Sequence, residues 1–304
     1  MKNYIVFDIG GSSVKHAIIT EEGEFIKKGS YKSERDNFDD FKSAMISEIE
    51  KAKDEYNIEG VAVSAPGAVD SDTGLIGGAS ALPCIHGPNF KKIFGEDLGL
   101  TLEIENDANC AALGEVWRGT AKDNSDVLFV VCGTGIGGAV IKDKKIHKGN
   151  NRLGGEFGYN ILVNNKNGIN STFETWSDVG STGALLRRVA NEKGITEADI
   201  DGRKIFELAE AGDEICINAI DDFYYYNAIG IFNIYYMYDP EKIVIGGAIS
   251  SREDFIEKIN EKLDILMNGV EESTIRPTIE KCKFENDANL IGALFNYLQR
   301  NNML

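Results

Sequence analysis

The fold of this chain is decided by one stretch, Thr101-Leu102-Glu103-Ile104-Glu105-Asn106-Asp107-Ala108-Asn109-Cys110-Ala111-Ala112-Leu113. Apolar and polar residues alternate at its start, as in a half-buried strand, and Ala and Leu then dominate, as in a helix. The carboxylate of Asp107 therefore lies at a predicted strand-to-helix junction. Asn and Asp at such a junction usually cap the helix, so a single copy of this pattern predicts only a cap.

The same five residues, Glu-Asn-Asp-Ala-Asn, occur twice, at 105–109 and at 285–289. A Gly turn after a short apolar strand precedes the Asp of each copy by 40 positions, at Gly67 and at Gly247. Each half also begins with a strand that runs into a pair of glycines, Gly10-Gly11 and Gly137-Gly138. Three landmarks in the same order predict a duplicated domain.

We therefore predict an α/β fold of two pseudo-duplicated domains with a cleft between them. The N-terminal α/β domain is placed at residues 1–113, with a closing helix at 288–304. The C-terminal α/β domain is placed at 114–287, with a helical insert at about 155–237. Residues 66–95, rich in Gly and Pro, are expected to form a long functional loop, and the aromatic-rich helix at 214–237 is expected to pack in a core or a subunit interface.

Composition excludes several classes of function. The 304 residues carry a net charge of −17, from 49 acidic and 32 basic residues, which would repel nucleic acid and an anionic membrane alike. No apolar run is long enough to cross a bilayer and no signal-peptide core precedes Asp8, so a cytoplasmic protein is expected. The five scattered cysteines contain no Cys-x-x-Cys pair, which argues against disulfides and structural zinc.

The two Gly-rich turns could bind phosphates. Successive glycines let backbone N–H groups approach phosphate oxygens, and Ser12 and Thr134 add hydroxyl groups. Neither turn has a Walker or Rossmann pattern, because a strand follows each one. A single turn of this kind is as often a simple hairpin. Two such turns in corresponding positions are stronger evidence for phosphate binding. Asp8, just before the first turn, is either a turn-stabilising residue or a ligand of hydrated Mg²⁺.

Taken together, these segments resemble the ordered motifs of the ROK family of sugar kinases and repressors, over almost the whole chain. The resemblance is carried by Asp8-Ile9-Gly10-Gly11-Ser12-Ser13-Val14-Lys15, Ser64-Ala65-Pro66-Gly67, Glu105-Asn106-Asp107-Ala108-Asn109, Gly133-Thr134-Gly135-Ile136-Gly137-Gly138 and Ile245-Gly246-Gly247-Ala248. It implies an actin-like ATPase (ribonuclease H-like) fold and an ATP-dependent, Mg²⁺-dependent carbohydrate kinase of the EC 2.7.1 class. The acceptor would be a sugar hydroxyl, expected to be the 6-hydroxyl.

The resemblance also implies roles for single residues. Asp107 would be the general base, and Asp8 would hold Mg²⁺ through water. Asp287, assigned to the nucleotide-binding half, is interpreted as a helix cap kept from the duplication. The implied sugar-binding residues are Gly67, Ser80, Asn106, Glu156, Tyr159 and Glu174. The implied nucleotide-binding residues are Gly10, Gly11, Ser12, Lys15, Thr134, Gly135, Gly246, Gly247 and Ala248.

Departures from the family pattern narrow these expectations. Zinc-containing members have His where this chain has Tyr159, and residues 160–173 contain no Cys, so a zinc-free variant is expected. Seven residues before Asp8 leave no room for the DNA-binding domain of repressor members. The sequence leaves the sugar open among glucose, N-acetylmannosamine, fructose and β-glucosides. A homodimer is the family expectation. The alternatives are an inactive sugar-sensing protein and an actin-like ATPase.

Overall fold

A computed structural model describes residues 2–78, 80–165, 172–284 and 287–304. The chain divides into two compact units: unit 1 contains residues 1–122 and 286–304, and unit 2 contains residues 123–285. Asp287 thus belongs to unit 1. Its predicted placement in the C-terminal domain was wrong. Glu285 and Asn286, which open the second copy of the repeat, lie outside the described residues.

Unit 1 begins with strands and helices in mixed order. They are β1 (Asn3–Ile9), β2 (Ser13–Thr20), β3 (Phe25–Lys32), α1 (Phe38–Glu55), β4 (Ile58–Ala65), β5 (Ala68–Asp70), β6 (Leu75–Gly77), α2 (Phe90–Phe94), β7 (Thr101–Asn106) and α3 (Asp107–Arg118). The domain boundary placed at residue 113 falls inside α3, whereas the two units part after Lys122.

Unit 2 follows, and the chain then returns to unit 1. The elements of unit 2 are β8 (Val127–Cys132), β9 (Ile136–Lys142), β10 (Lys145–Ile146), β11 (Ile161–Asn165), β12 (Thr172–Thr175), α4 (Trp176–Gly180), α5 (Thr182–Lys193), α6 (Gly202–Glu210), α7 (Glu214–Tyr238), β13 (Lys242–Gly246), α8 (Phe255–Gly269) and β14 (Ile279–Lys281). The last helix, α9 (Ala288–Arg300), packs in unit 1.

The central sheets of the two units have the same topology. The strand order is β3-β2-β1-β4-β7 in unit 1 and β10-β9-β8-β13-β14 in unit 2. In each sheet the first three strands are antiparallel and the last three run parallel. This repeated mixed sheet is the arrangement of the actin-like (ribonuclease H-like) fold, and the predicted fold class is confirmed.

Both faces of the unit 1 sheet are covered by helices. Strand β1 is buried from Tyr4 to Ile9, and the apolar run from Tyr4 to Phe7 is as expected for a strand in the middle of a sheet. On one face, Ile5 and Phe7 belong to a cluster with the buried side of α1. On the other face, Tyr4 and Val6 pack with residues of α9. The edge strand β3 is polar and largely exposed.

Helices α3 and α9 cross at very short range through glycines. A Cβ atom added at Gly292 would lie 1.6 Å from the carbonyl oxygen of Cys110, and one at Gly114 would lie 2.7 Å from that of Ala288. The rings of Trp117 and Phe295 stack at 5.2 Å farther along the same pair. The first turns of both helices are therefore fixed with respect to each other.

The aromatic helix α7 lies in unit 2. Phe223, Tyr224 and Tyr235 are buried in the main cluster of that unit, which confirms the predicted core packing for these rings. Tyr225 and Tyr236 are exposed at its surface. Within the described residues, no helix combines the length and the apolarity that a membrane crossing requires.

The sequence missed several short elements. Residues 66–95, expected to be a long loop, contain the β5–β6 hairpin and α2. The turn of the hairpin is closed by Asp70, whose carboxylate accepts the N–H groups of Asp72 and Thr73. The β11–β12 pair, α4 and β14 were not predicted either. Strands of three to five residues carry too few alternations for periodicity to reveal them.

Candidate active site

Three polar side chains form a row at the carboxyl end of the unit 1 sheet. Asp8 on β1 is paired with Ser64 on β4, and Ser64 is paired with Glu105 on β7. Paired residues of neighbouring strands point to the same face. All three residues are buried. Their polar groups must therefore find hydrogen-bond partners within the row or in the first turns of the covering helices.

The Asp8 carboxylate is held unevenly. Its Oδ1 atom accepts hydrogen bonds from Ser64 Oγ at 3.0 Å and from Asn289 Nδ2 at 2.9 Å. Its Oδ2 atom lies 3.9 Å from Lys15 Nζ. The adjacent turn is closed without Asp8, because the N–H of Gly10 donates to the carbonyl of Ser13 at 3.0 Å. Asp8 is therefore not a turn-stabilising residue.

Glu105 organises the start of α3. Its Oε1 atom accepts the backbone N–H of Asn106 at 2.9 Å and the side-chain amide of Asn109 at 3.0 Å. Its Oε2 atom accepts the hydroxyl of Ser71 at 2.8 Å. Buried polar groups require such partners, so the role of Glu105 in this structure is to hold the start of α3 and the Ser71 hydroxyl together.

The helix cap is Asn106. Its Oδ1 atom accepts the N–H groups of Ala108 at 3.0 Å and Asn109 at 3.2 Å, and its Nδ2 atom donates to the carbonyl of Gly67 at 3.1 Å. The Asn106 side chain therefore ties the start of α3 to the turn at Gly67. Because Asn106 is the cap, Asp107 becomes the first residue of the helix.

Asp107 is a perturbed carboxyl group. Its Oδ1 atom accepts the N–H of Ala108 at 2.8 Å. Burial raises the pKa of Asp107 above its usual value and the negative charge of Asp8 raises it further, although the hydrogen bond from Ala108 acts in the opposite direction. A carboxylate with a raised pKa is a stronger base at neutral pH.

The loop that precedes α2 lies against this junction. Gly67 has a φ of +98°, and an added Cβ there would lie 3.0 Å from the carbonyl oxygen of Gly77 and 3.4 Å from the ring of His86. The hydroxyl of Ser80 is hydrogen bonded to His86 Nε2 at 2.8 Å. His86 was not among the site residues predicted from the sequence. Only its position in a Gly- and Pro-rich loop could have indicated a role for it.

The first glycine turn of unit 1 is compact. A Cβ atom at Gly11 would lie 2.8 Å from the Cβ of Ala81, and Ser33 Oγ donates to the carbonyl of Gly10 at 2.6 Å. The side chain of Ser12 is exposed. Gly10, Gly11, Ser12 and Asp8 thus lie together on this turn, with Lys15 adjacent through Asp8, and their phosphate-binding role stays a prediction.

The second glycine turn lies in unit 2 on the first turn of α5. The carbonyl of Gly133 accepts the N–H of Thr182 at 2.9 Å and its hydroxyl at 2.7 Å. A Cβ at Gly183 would lie 2.4 Å from the carbonyl oxygen of Thr134. Thr134 and Gly135 are exposed. The structure therefore presents a hydroxyl and backbone groups to solvent on a fixed turn.

The turn after β13 lies beside the glycine turn at 133–135. Strands β8 and β13 are parallel neighbours, with Val131 paired with Gly246. Gly247 has a φ of +100°, and an added Cβ there would lie 2.1 Å from the carbonyl oxygen of Cys132. Only glycine fits this close approach. Gly247 and Ala248 are exposed, whereas Gly246 is buried.

The acidic residues predicted to bind sugar lie elsewhere in unit 2. Glu156 immediately precedes a short 3₁₀ turn that ends at Tyr159, and Tyr159 is 75% exposed. Glu174 lies on β12, which is tied back to this turn because the N–H of Trp176 donates to the carbonyl of Asn160 at 2.7 Å. Both glutamates are exposed.

The residues around Asp8 fit one kind of metal ion. Mg²⁺ keeps several of its waters and is usually held by one or two carboxylates together with substrate phosphates. A single carboxylate beside a glycine turn meets that requirement. In the described ranges, no three His, Cys, Asp or Glu side chains are grouped so that they could hold a metal by themselves.

The fold and the two glycine turns together indicate the class of protein to which this chain belongs. Two ribonuclease H-like sheets, each with a glycine turn after its first parallel strand, are typical of actin-like phosphotransferases. The family is shown by comparison with known proteins: the model of the ROK family matches residues 4–300. The chain therefore belongs to the ROK family, as the sequence motifs indicated.

Three similar proteins cover nearly the whole chain. A β-glucoside kinase from Listeria monocytogenes serovar 1/2a is 33% identical over 297 residues, 97% of each chain. The crystal structure of a ROK family protein from Streptococcus pneumoniae TIGR4 in complex with sucrose has a TM-score of 0.90 and 37% identity, over 99% of this chain and 100% of the other. A Listeria monocytogenes structure, described as a candidate N-acetylmannosamine kinase, has a TM-score of 0.85 and 32% identity, over 99% and 100%. The predicted class of enzyme, a carbohydrate kinase, is confirmed.

Proposed function

We propose that this protein transfers the γ-phosphate of ATP to the 6-hydroxyl of a hexose, an N-acetylhexosamine or a β-glucoside, with Asp107 as the general base. The observation that carries the proposal is the state of Asp107. It is the first residue of α3, its neighbour Asn106 provides the cap, and burial and the charge of Asp8 raise its pKa. A base with these properties accepts a proton from an alcohol more readily than an ordinary surface carboxylate.

The chemical step follows from this arrangement. The Asp107 carboxylate takes the proton of the sugar hydroxyl while the sugar oxygen forms its bond to the γ-phosphorus. The bond between that phosphorus and the β,γ-bridging oxygen breaks, and ADP leaves with the bonding electrons. In phosphoryl transfer the protein mainly positions the reactants and balances charge, and an aspartate is the recurrent base. Such a base contributes about 10²–10⁴-fold in rate.

Each unit supplies a separate set of binding groups. In unit 1, the side chain of Asn106, the backbone near Gly67, and Ser80 would hold the sugar. In unit 2, Glu156, Glu174 and Tyr159 would contribute to the sugar. Acidic residues suit this role because carboxylates accept hydrogen bonds from sugar hydroxyls.

The nucleotide would be bound by glycine turns. Thr134, Gly135, Gly247 and Ala248 are exposed on neighbouring turns of unit 2, and Gly10, Gly11, Ser12 and Lys15 form the phosphate-side group of unit 1. Asp8 would hold Mg²⁺ through water. Bound with ATP, Mg²⁺ would offset charge on the phosphoryl oxygens. We propose that zinc is not required, since Tyr159 occupies the position of the zinc-ligating His.

Two observations favour a β-glucoside among the acceptors. The Listeria relative is a β-glucoside kinase, and the pneumococcal relative was crystallised with sucrose, a sugar with two rings. In this chain the ring of Tyr159 is 75% exposed and provides an amphipathic surface against which a second ring could pack.

A coupled ADP-release assay with glucose, N-acetylmannosamine, fructose, allose and cellobiose tests the proposal. At least one sugar should show turnover that depends on both ATP and Mg²⁺, and NMR of the product should locate the phosphate on the 6-oxygen of a hexose ring. Tight sugar binding by calorimetry without ADP release from any sugar would instead support a sugar-sensing protein. Phosphate on another oxygen would refute the assigned regiochemistry.

A further inference from the structure

We propose that Asn289 is a positioning residue: together with Ser64 it holds the Asp8 carboxylate in one orientation, so that Oδ2 stays directed to the hydrated Mg²⁺ of the bound nucleotide. This inference rests on the part of the proposed function that gives Asp8 its metal role. It adds to that function a residue from the far end of the chain.

The first support is the uneven hydrogen bonding of Asp8. Both strong donors, Ser64 Oγ at 3.0 Å and Asn289 Nδ2 at 2.9 Å, bind the same oxygen, Oδ1. They come from two different elements, β4 and α9. A carboxylate turns easily about its terminal torsion, and two donors on one oxygen restrict that rotation. Among the described contacts, Oδ2 has only the Lys15 ammonium at 3.9 Å.

The second support is the rigidity of the helix that carries Asn289. Close to this residue, Gly292 lies against the carbonyl of Cys110, and the carbonyl of Ala288 lies against Gly114. At the other end of α9, Arg300 donates to Glu103 at 2.6 Å and to Asp72 at 2.7 Å. Because the helix is fixed at both ends, the Asn289 amide reaches Asp8 with little further loss of conformational freedom.

A simple capping role does not explain Asn289. The cap position of α9 is Asp287, whose side chain makes no capping hydrogen bond and instead accepts from Lys28 Nζ at 2.6 Å. The amide of Asn289 is directed to Asp8. Groups that orient a metal-holding carboxylate typically change metal affinity about 10–100-fold when they are removed, whereas a purely structural amide would change stability alone.

The test measures how much Mg²⁺ strengthens nucleotide binding. Calorimetry with a non-hydrolysable ATP analogue is done once in EDTA and once with saturating Mg²⁺, and the ratio of the two dissociation constants is compared between variants. Asn289→Leu removes the donor at similar size, and Asn289→Ser shortens the side chain so that it no longer reaches Asp8. Asn296→Leu is the matched control, because Asn296 is a buried asparagine on the same helix whose Nδ2 has no partner among the described residues.

For both Asn289 variants we expect the Mg²⁺ enhancement to fall about ten-fold or more, with binding in EDTA unchanged within about two-fold. The control should keep the wild-type ratio. In kinetics, the half-saturating Mg²⁺ concentration should rise while the KM for the sugar stays constant. If the Leu variant does not fold, the Ser variant decides.

Wild-type enhancement in the folded variants would overturn the inference, and so would a wild-type protein whose nucleotide affinity does not respond to Mg²⁺. The binding measurement needs no sugar. A failure of the proposed kinase reaction would therefore appear in the acceptor assay and leave this result interpretable.

Discussion

Asp107 and Asp213 show how the surroundings decide the behaviour of an aspartate at a helix N-terminus. Asp213 caps α7, and its hydrogen bond from Lys193, followed by the N–H of Cys216, lowers its pKa. Asn106 takes the capping role next to Asp107, and the pKa of the partly buried Asp107 is raised by desolvation and by the charge of Asp8. Both carboxylates accept a backbone N–H at a helix N-terminus. The direction of their pKa shifts is therefore decided by burial and by the sign of the neighbouring charge, not by the helix terminus.

The raised pKa of Asp107 has a consequence for activity. The base must be ionised, so kcat/KM should fall about ten-fold per pH unit below the Asp107 pKa, and this fall should begin above the ordinary range of an aspartate. The measurement is a pH profile of kcat/KM at saturating Mg²⁺.

The matched control for this profile is Asp213→Asn, which alters another helix-terminal aspartate and should leave the acid limb where it is. An acid limb at the ordinary aspartate value of about 3.9, or one that moves with Asp213→Asn, would contradict the assignment of the titration to Asp107.

Single residues differ in how far the sequence could identify them. Asn106 and Asp107 could be selected because a strand pattern ends and a helix pattern begins between them. The partners of Asp8 could not, because Asn289 is 281 positions away and nothing local indicates which helix covers the sheet there. His86 could not be identified either, because its ring lies near Gly67 only in the folded loop.

At the scale of elements, the α3–α9 crossing is the feature that connects the candidate base to the rest of unit 1. α3 begins with Asp107, and α9 carries Asn289. Small residues at the crossing let the two backbones come close, and this contact leaves no space for a side chain at Gly292.

Gly292→Ala should therefore destabilise the protein. The added methyl group would meet the carbonyl oxygen of Cys110 at 1.6 Å, and backbone cannot move aside as a flexible side chain can. We expect the free energy of unfolding to fall by about 3 kcal/mol, at the upper end of typical overpacking, measured by urea denaturation.

Gly202→Ala is the matched control, since Gly202 begins helix α6 and an added Cβ there meets nothing within 4 Å. Its stability should stay within about 1 kcal/mol of wild type. A Gly292→Ala protein as stable as this control would show that the two helices are not as close as described.

Long elements were predictable and short ones were not. The buried run of β1 and the apolar face of α1 span enough residues for a period to be recognised. The β5–β6 hairpin and β14 contain strands of three residues each, and their pairing depends on tertiary contacts.

At the scale of the whole molecule, the duplication is visible in the equal strand orders of the two sheets. The two aspartates of the repeated motif nevertheless have different surroundings. The first copy provides a cap and a partly buried carboxylate, whereas Asp287 in the second copy lies in unit 1 and is paired with Lys28. The sequence could reveal the repeat and assign the closing helix to the N-terminal domain, but not that this helix brings Asn289 to Asp8. The homodimer expected from the family stays a prediction.

Because the twin aspartates differ in this way, substituting each of them tests whether Asp107 deprotonates the sugar. ADP release is measured with the best acceptor for wild type, Asp107→Asn and Asp287→Asn, and sugar affinity is measured by calorimetry. We expect kcat to fall about 10²–10⁴-fold in Asp107→Asn with sugar binding retained, while Asp287→Asn stays within about two-fold of wild type. A wild-type kcat in Asp107→Asn, or an equal loss in Asp287→Asn, would contradict it.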